Sequence, residues 1–161
     1  MARLREARTC YDHLGGRLAL DLLDGWATLG WLTRDDLGTV TALTPTGAHG
    51  FDGLGVVIPP APSRPLLRSC LDWSEQHYHL AGALGCAIFD SMIHHNWLSR
   101  SKTDRSVEVT TTGSAVLAPF LHHPSRSERT RQPFRLHDPL DRPRRNTGIN
   151  RHHQQNSAAA V

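Results

Sequence analysis

Cys10 and His13 form a Cys-x-x-His pair, and a second segment echoes it. Cys10-Tyr11-Asp12 recurs as Cys70-Leu71-Asp72, and His13-Leu14-Gly15-Gly16 recurs as His79-Leu80-Ala81-Gly82, with six extra residues between Cys70 and His79. Thiolate sulfur and imidazole nitrogen are the ligands of zinc and other soft or borderline divalent ions, and this spacing allows both to reach one ion. Two such half-sites meeting where the copies pack would sense a soft metal or a thiol oxidant. Against this stand the lack of a tight Cys-x-Cys pair and the insertion in the second copy. A buried cysteine behaves as a small hydrophobe, and a histidine beside a helix start often serves as a cap. On balance the four residues read as packing. The sequence therefore calls for no cofactor, and a metal or effector at Cys10, His13, Cys70 and His79 is the secondary reading. Cys86 falls between Leu84 and Ile88 and reads as core, while the neighbours in His94-His95 and His122-His123 point apart on a helix.

Catalytic signatures are missing from the chain. It holds no phosphate-cradling glycine loop, no Gly-x-Ser-x-Gly and no carboxylate pair in a defined cleft, so it is not expected to be an enzyme. Asp24 and Asp90 match each other, each on an apolar helix, and a salt bridge to the other unit or plain solvation would account for them.

The elements that must position these residues are doubled too. Gly16, Leu18, Asp24, Trp31, Leu32, Arg34, Thr44, Thr46 and Gly47 recur 66 residues later, without a gap, as Gly82, Leu84, Asp90, Trp97, Leu98, Arg100, Thr110, Thr112 and Gly113. Two copies are too few for a solenoid and suggest two packed units of one small type. In the first, Leu14, Leu18, Leu22, Trp26 and Leu29 mark an amphipathic helix that Gly30 stops. Trp31-Leu32-Thr33 and Thr39 to Leu43 read as a hairpin, and Thr44-Pro45 as the cap and first position of a helix to about Leu54. Leu80, Leu84, Ile88 and Met92 repeat the helix, followed by strands at Trp97-Leu98-Ser99 and Val107 to Thr110 and a helix from Thr112 to about Phe120. The sequence thus predicts a mostly helical α+β protein of two winged-helix-like repeats. A lead-in helix occupies 1–9, where Arg3, Arg5 and Arg8 read as a solvated helix end. The first unit covers 10–57, a proline-rich linker 58–66 and the second unit 67–121, with Cys70 to Tyr78 as a helix or turn. A disordered basic tail at 122–161 lacks apolar periodicity.

Net charge divides along the same boundary. Residues 1–121 hold ten basic and twelve acidic residues, whereas 122–161 hold eight arginines against Glu128, Asp138 and Asp141. The patterned part is mildly acidic, and a basic tail points only weakly to nucleic acid. Arg34, Arg100, Lys102 and Arg105, on or beside the hairpins, are the candidate DNA contacts, although a solvated hairpin tip is the commoner role. Three cysteines without framework spacing suit reduced thiols. The charged N-terminus is unlike a signal peptide and no apolar run is long enough for a membrane span, so a cytoplasmic protein without membrane partners is expected.

Helix, Trp-Leu, polar turn, β-rich return and a capped helix is the order of the distal half of a winged-helix domain. Leu43-Thr44-Pro45-Thr46-Gly47 and Val109-Thr110-Thr111-Thr112-Gly113 resemble the wing-to-helix junctions of bacterial regulators of the MarR, PadR and ArsR kinds. More closely, Ala7-Arg8-Thr9-Cys10-Tyr11-Asp12-His13-Leu14-Gly15-Gly16, Cys70-Leu71-Asp72-Trp73-Ser74-Glu75 and His79-Leu80-Ala81-Gly82-Ala83-Leu84-Gly85 resemble segments in the C-terminal half of a subgroup of ArsR-family transcriptional regulators. The resemblance covers about residues 3–120. It implies the regulatory and dimerisation half of such a regulator, a homodimer that meets DNA through an N-terminal helix-turn-helix missing here, or weakly through wing and tail. It further implies a truncated or frameshifted relative. The competing readings are a metal- or thiol-responsive module without DNA binding of its own, and a non-functional fragment.

Overall fold

Thr44 and Thr110, equivalent in the repeat, close the same junction in the same way. The structure is a computed structural model that describes residues 2–60 and 62–121. The Thr44 hydroxyl donates to the Gly30 carbonyl at 2.6 Å and accepts from the Gly47 amide at 2.9 Å, while Thr110 does so with Asn96 at 2.7 Å and Gly113 at 2.9 Å. Each threonine thus caps one helix and ties it to the stop of the preceding one. That stop is left-handed, with φ of 71° at Gly30 and 56° at Asn96, a conformation that glycine and asparagine tolerate. Gly47 and Gly113 are demanded by space, since a Cβ would lie 2.0 Å from the Trp31 carbonyl oxygen and 1.9 Å from that of Trp97.

The first half runs α1 (Ala2–Glu6), β1 (Arg8–Cys10), β2 (His13–Gly15), α2 (Arg17–Thr28), β3 (Leu32–Arg34), β4 (Val40–Leu43) and α3 (Pro45–Gly53). The second runs β5 (Arg68–Leu71), β6 (Tyr78–Ala81), α4 (Gly82–His94), β7 (Leu98–Arg100), β8 (Val107–Val109) and α5 (Thr111–Leu121). Among the described residues the strands form four separate antiparallel pairs, β1-β2, β3-β4, β5-β6 and β7-β8. The α+β class is as the sequence predicts. The hairpin ahead of each long helix is not. Residues 1–9 are no single lead-in helix, because α1 stops at Glu6 and Arg8 already belongs to a strand. Cys70 to Tyr78 is the end of one strand, a turn and the start of its partner. Strands of three or four residues offer too few positions for alternation to show.

The halves interleave. Helix α2 packs on α5 so closely that a Cβ on Gly25 would lie 2.1 Å from the Phe120 carbonyl oxygen. Ser91, the equivalent of Gly25 on α4, donates its hydroxyl to the Gly55 carbonyl just beyond α3 at 3.2 Å. The hairpins cross in the same sense. The Thr9 amide of β1 donates to the Arg105 carbonyl at 2.8 Å and the Val107 amide of β8 donates to the Ala7 carbonyl at 3.0 Å. In the matching place the Val40 amide of β4 donates to the Ser69 hydroxyl of β5 at 2.8 Å. One core serves both halves: Leu18, Leu22, Leu23 and Trp26 of α2 share it with Leu84, Ile88, Phe89 and Met92 of α4, and Phe51 and Leu117 close it.

The tail at 122–161 and the pair His122-His123 lie outside the described residues. Among those described, no helix is long and apolar enough to cross a membrane. The close backbone approach at the two junctions gives a direct test. Gly47→Ala and Gly113→Ala are each expected to lower stability by about 1–3 kcal/mol through overpacking. Gly53→Ala, with nothing within 4 Å of its Cβ, should leave stability unchanged or raise it slightly. Equal urea midpoints for the three variants would contradict the account.

Candidate metal or effector site between the halves

The short hairpins bring the candidate ligands together. Cys10 stands opposite His13 in β1-β2, and Cys70 stands opposite His79 in β5-β6. Opposed residues on an antiparallel ribbon project from the same face, so each hairpin offers one sulfur and one imidazole side by side. The six extra residues of the second copy lengthen the β5-β6 turn and leave this pairing untouched. The two faces meet. Cys10 Sγ lies 3.9 Å from Cys70 Sγ, His13 Nε2 lies 3.1 Å from His79 Nε2, and the four ligand atoms all fall within 4.8 Å of one another. Gly15 keeps the room for this meeting, because a Cβ there would stand 3.3 Å from His79 Cε1.

Each imidazole has a carboxylate behind it. Asp12 Oδ1 is 3.1 Å from His13 Nδ1, and Asp72 Oδ2 is 3.2 Å from His79 Nδ1. The second contact is within ion-pair distance but off the line of a well-formed hydrogen bond. The hydrogen bond to Asp12 favours the proton on His13 Nδ1 and leaves the Nε2 of that ring free to accept from or join His79 in ligation. Burial, and His13 beside it, push His79 down to about 4, so it is neutral at neutral pH. Burial, and the neighbouring Cys70, push the Cys10 thiol up to about 11, which makes it a poor target for oxidants without an ion to take its proton's place.

Asp72 anchors the surroundings. Its carboxylate accepts from Arg8 Nη2 at 2.7 Å, the Gly16 amide at 2.8 Å, the Ser74 amide at 3.0 Å and the Ser74 hydroxyl at 2.9 Å. Arg8 and Asp72 are 1% and 0% exposed at their side chains, and the guanidinium also lies over the Trp73 ring at 4.6 Å. Arg8, expected at a solvated helix end, is therefore one of the most deeply buried side chains described. Nothing local in the sequence signals a partner 64 residues away. Burial alone would push the Asp72 carboxyl up, but the hydrogen bonds from Arg8, Gly16 and Ser74 outweigh it and hold it well below the usual carboxylate range.

The remaining candidates sit apart from this cluster. Arg34 Nη1 contacts Asp24 Oδ1 at 2.5 Å, and Arg100 Nη2 approaches Asp90 Oδ1 at 3.8 Å with its guanidinium 4.9 Å above the Phe89 ring. The Arg34–Asp24 pair fastens the first wing to its own long helix, whereas the equivalent Arg100–Asp90 contact is long and exposed. Asp24, for which plain solvation was one expectation, is buried and paired with Arg34. Lys102 and Arg105 are exposed at the β7-β8 turn. The turn of the other wing carries Asp35 and Asp36 instead, with Asp35 accepting from the Thr39 hydroxyl. Cys86 is half-buried rather than core and donates to Asp90 Oδ2 at 3.5 Å.

Asp72→Asn leaves the Arg8 charge buried without its counter-charge and is expected to cost about 3–5 kcal/mol at neutral pH. A carboxyl depressed in the folded state stabilises it fully above the unfolded value, near 3.8, and that contribution drains away as pH falls toward the folded value. Urea midpoints measured from neutral pH into acid should therefore fall steeply for the wild type below about pH 4 and only weakly for Asp72→Asn. A variant as stable as the wild type at neutral pH would contradict this role.

The chain is 35% identical, over 121 residues, to the uncharacterized HTH-type transcriptional regulator YdfF of Bacillus subtilis (strain 168). The match takes in 74% of this chain and 53% of that protein, so the chain spans about half the length of the relative it matches. No family model and no solved structure matches the chain. Identity at this level over most of the chain supports a relationship to a transcription-regulator family.

Proposed function

We propose that the chain acts in transcription regulation as the regulatory and dimerisation half of an ArsR-type regulator. The observation that carries the reading is the 35% identity to an HTH-type regulator over 121 residues. The doubled wing-and-capped-helix junction at Thr44 and Thr110 supports it as well. DNA contact belongs chiefly to the part of such a regulator that this chain does not match. Within residues 1–121 acidic residues outnumber basic ones by twelve to ten, which opposes binding to a polyanion. Arg34 is held by the buried Asp24, while Arg100 makes only a long, exposed contact to Asp90. That leaves Arg100, Lys102 and Arg105 as the wing cations best placed for a weak backbone contact. Tyr11 and Trp73, 91% and 54% exposed on the turns of the two hairpins, offer apolar contact to a second copy.

The test is a gel-shift titration against salt with the full chain and with a chain ending at Leu121, alongside sedimentation of both. The expected outcome is a dimer in both cases, salt-steep nonspecific binding by the full chain, and its loss when the arginine-rich tail is removed. Salt-steep, sequence-selective binding by the shorter chain would overturn the assignment of DNA contact elsewhere. A monomer throughout would overturn the dimerisation role.

A further inference from the structure

We infer that Cys10, His13, Cys70 and His79 hold one zinc-class divalent cation in a tetrahedral site of two sulfurs and two nitrogens, pinning the two halves together. The inference stands on the geometry of the four side chains and is independent of the regulator assignment.

Three observations carry it. The first is the fit. Zn–S bonds of about 2.3 Å and Zn–N bonds of about 2.0–2.1 Å in a tetrahedron require roughly 3.8 Å between the sulfurs and roughly 3.3 Å between the nitrogens. The two pairs stand 3.9 Å and 3.1 Å apart. The second is the chemistry of the histidine pair. With carboxylates near both Nδ1 atoms, the two Nε2 atoms face each other across 3.1 Å inside the protein, at His13 5% and His79 0% exposed. A cation between them replaces the single shared proton and is ligated by both rings. A carboxylate behind each ligating imidazole is the usual outer shell of a zinc histidine. The third is symmetry. Equivalent atoms meet, sulfur with sulfur and Nε2 with Nε2, so the pseudo-twofold relation of the halves passes through the cluster. A tetrahedral centre with two sulfurs and two nitrogens has a twofold axis of this kind.

The donor set also selects the ion. Magnesium and calcium take oxygen ligands, whereas thiolate and imidazole suit zinc and similar ions. Four protein ligands close the first shell, which is the form of a structural or sensing centre and leaves no position for substrate. A cavity of about 480 Å³, lined by Tyr11, Asp12, His13, Arg64, Cys70 and Gly82, adjoins the cluster and supplies an entry path. Since each half contributes one sulfur and one nitrogen, occupancy favours the interleaved arrangement and the ion's release loosens it. On binding, the two thiols lose their protons to solvent and the ion gains two thiolate bonds, with no change in oxidation state.

The test uses the full chain, stripped with chelator and titrated with cobalt(II) and then zinc(II). The expected result is one ion per chain, the intense visible bands of four-coordinate cobalt, a thiolate-to-cobalt charge-transfer band, proton release, and displacement by zinc. Cys10→Ser and Cys70→Ser should each weaken binding by about 100-fold or more, beyond the loss of an outer-shell partner alone, whereas Cys86→Ser should bind as the wild type does. His79→Cys keeps four ligands and should retain the four-coordinate spectrum with stronger charge transfer, which keeps the question decidable if the serine variants unfold. No cobalt uptake, the weak spectrum of a six-coordinate ion, or binding unaffected by Cys10→Ser and Cys70→Ser would overturn the inference.

Discussion

The buried pair of Arg8 and Asp72 is the constraint on which the arrangement depends. A guanidinium and a carboxylate taken out of water cost several kcal/mol each unless their hydrogen-bonding capacity is filled. Here the Asp72 carboxylate accepts from Arg8, the Gly16 amide and both polar groups of Ser74, while Arg8 also donates to the Leu4 carbonyl at 2.8 Å. The donors come from both halves of the chain, so the charge is satisfied only when the β1-β2 hairpin lies against the β5-β6 turn. That requirement sets the two hairpins face to face, and the meeting of Cys10 with Cys70 and of His13 with His79 follows from it.

The duplication then acquires a physical sense. Each half lends its hairpin to the wing of the other, through Thr9 and Val107 on one side and Val40 and Ser69 on the other. Each long helix packs against the far end of the other half, at Gly25 with Phe120 and at Ser91 with Gly55. This exchange resembles a symmetric dimer written in one chain. The symmetry is broken where the charges differ. Asp72 is buried with Arg8, whereas Asp12 is 44% exposed at its side chain and pairs with Arg64 of the linker. The Asp72 side is therefore the rigid wall of the cluster and the Asp12 side, next to the cavity, is the accessible one.

Much of this was legible in the sequence, and the rest was hidden for identifiable reasons. The helix stop at Gly30 and the cap at Thr44 are local devices, read from residue type and order, whereas the last helix, expected to open at Thr112, starts at Thr111 with Thr110 as its cap. The offset of 66 residues showed which positions had to perform the same task. The long helices declared themselves by spacing, although Leu14 and Leu80, counted into them, belong to β2 and β6. The hairpins at Arg8–Gly15 and Arg68–Ala81 did not, because their strands are too short for alternation and the second contains an insertion. Without the hairpins, the insertion looked like an obstacle to a shared site, whereas in a hairpin it only lengthens a turn. Burial of Arg8 and Asp24 was beyond reach for another reason. A charged residue earns its place in a core through a partner that is distant in sequence or hidden in the wing.

The central claim is that the halves form one cooperative body, joined by the buried ion pair and a common core, and not two units that open separately. Native-state hydrogen exchange across a denaturant series tests it most directly, following slow amides in α2 and α4 together with the Gly16 amide that donates to Asp72. The account predicts that all of them merge into one unfolding isotherm with a single free energy. Two well-separated isotherms, one for residues 10–57 and one for residues 67–121, would contradict it.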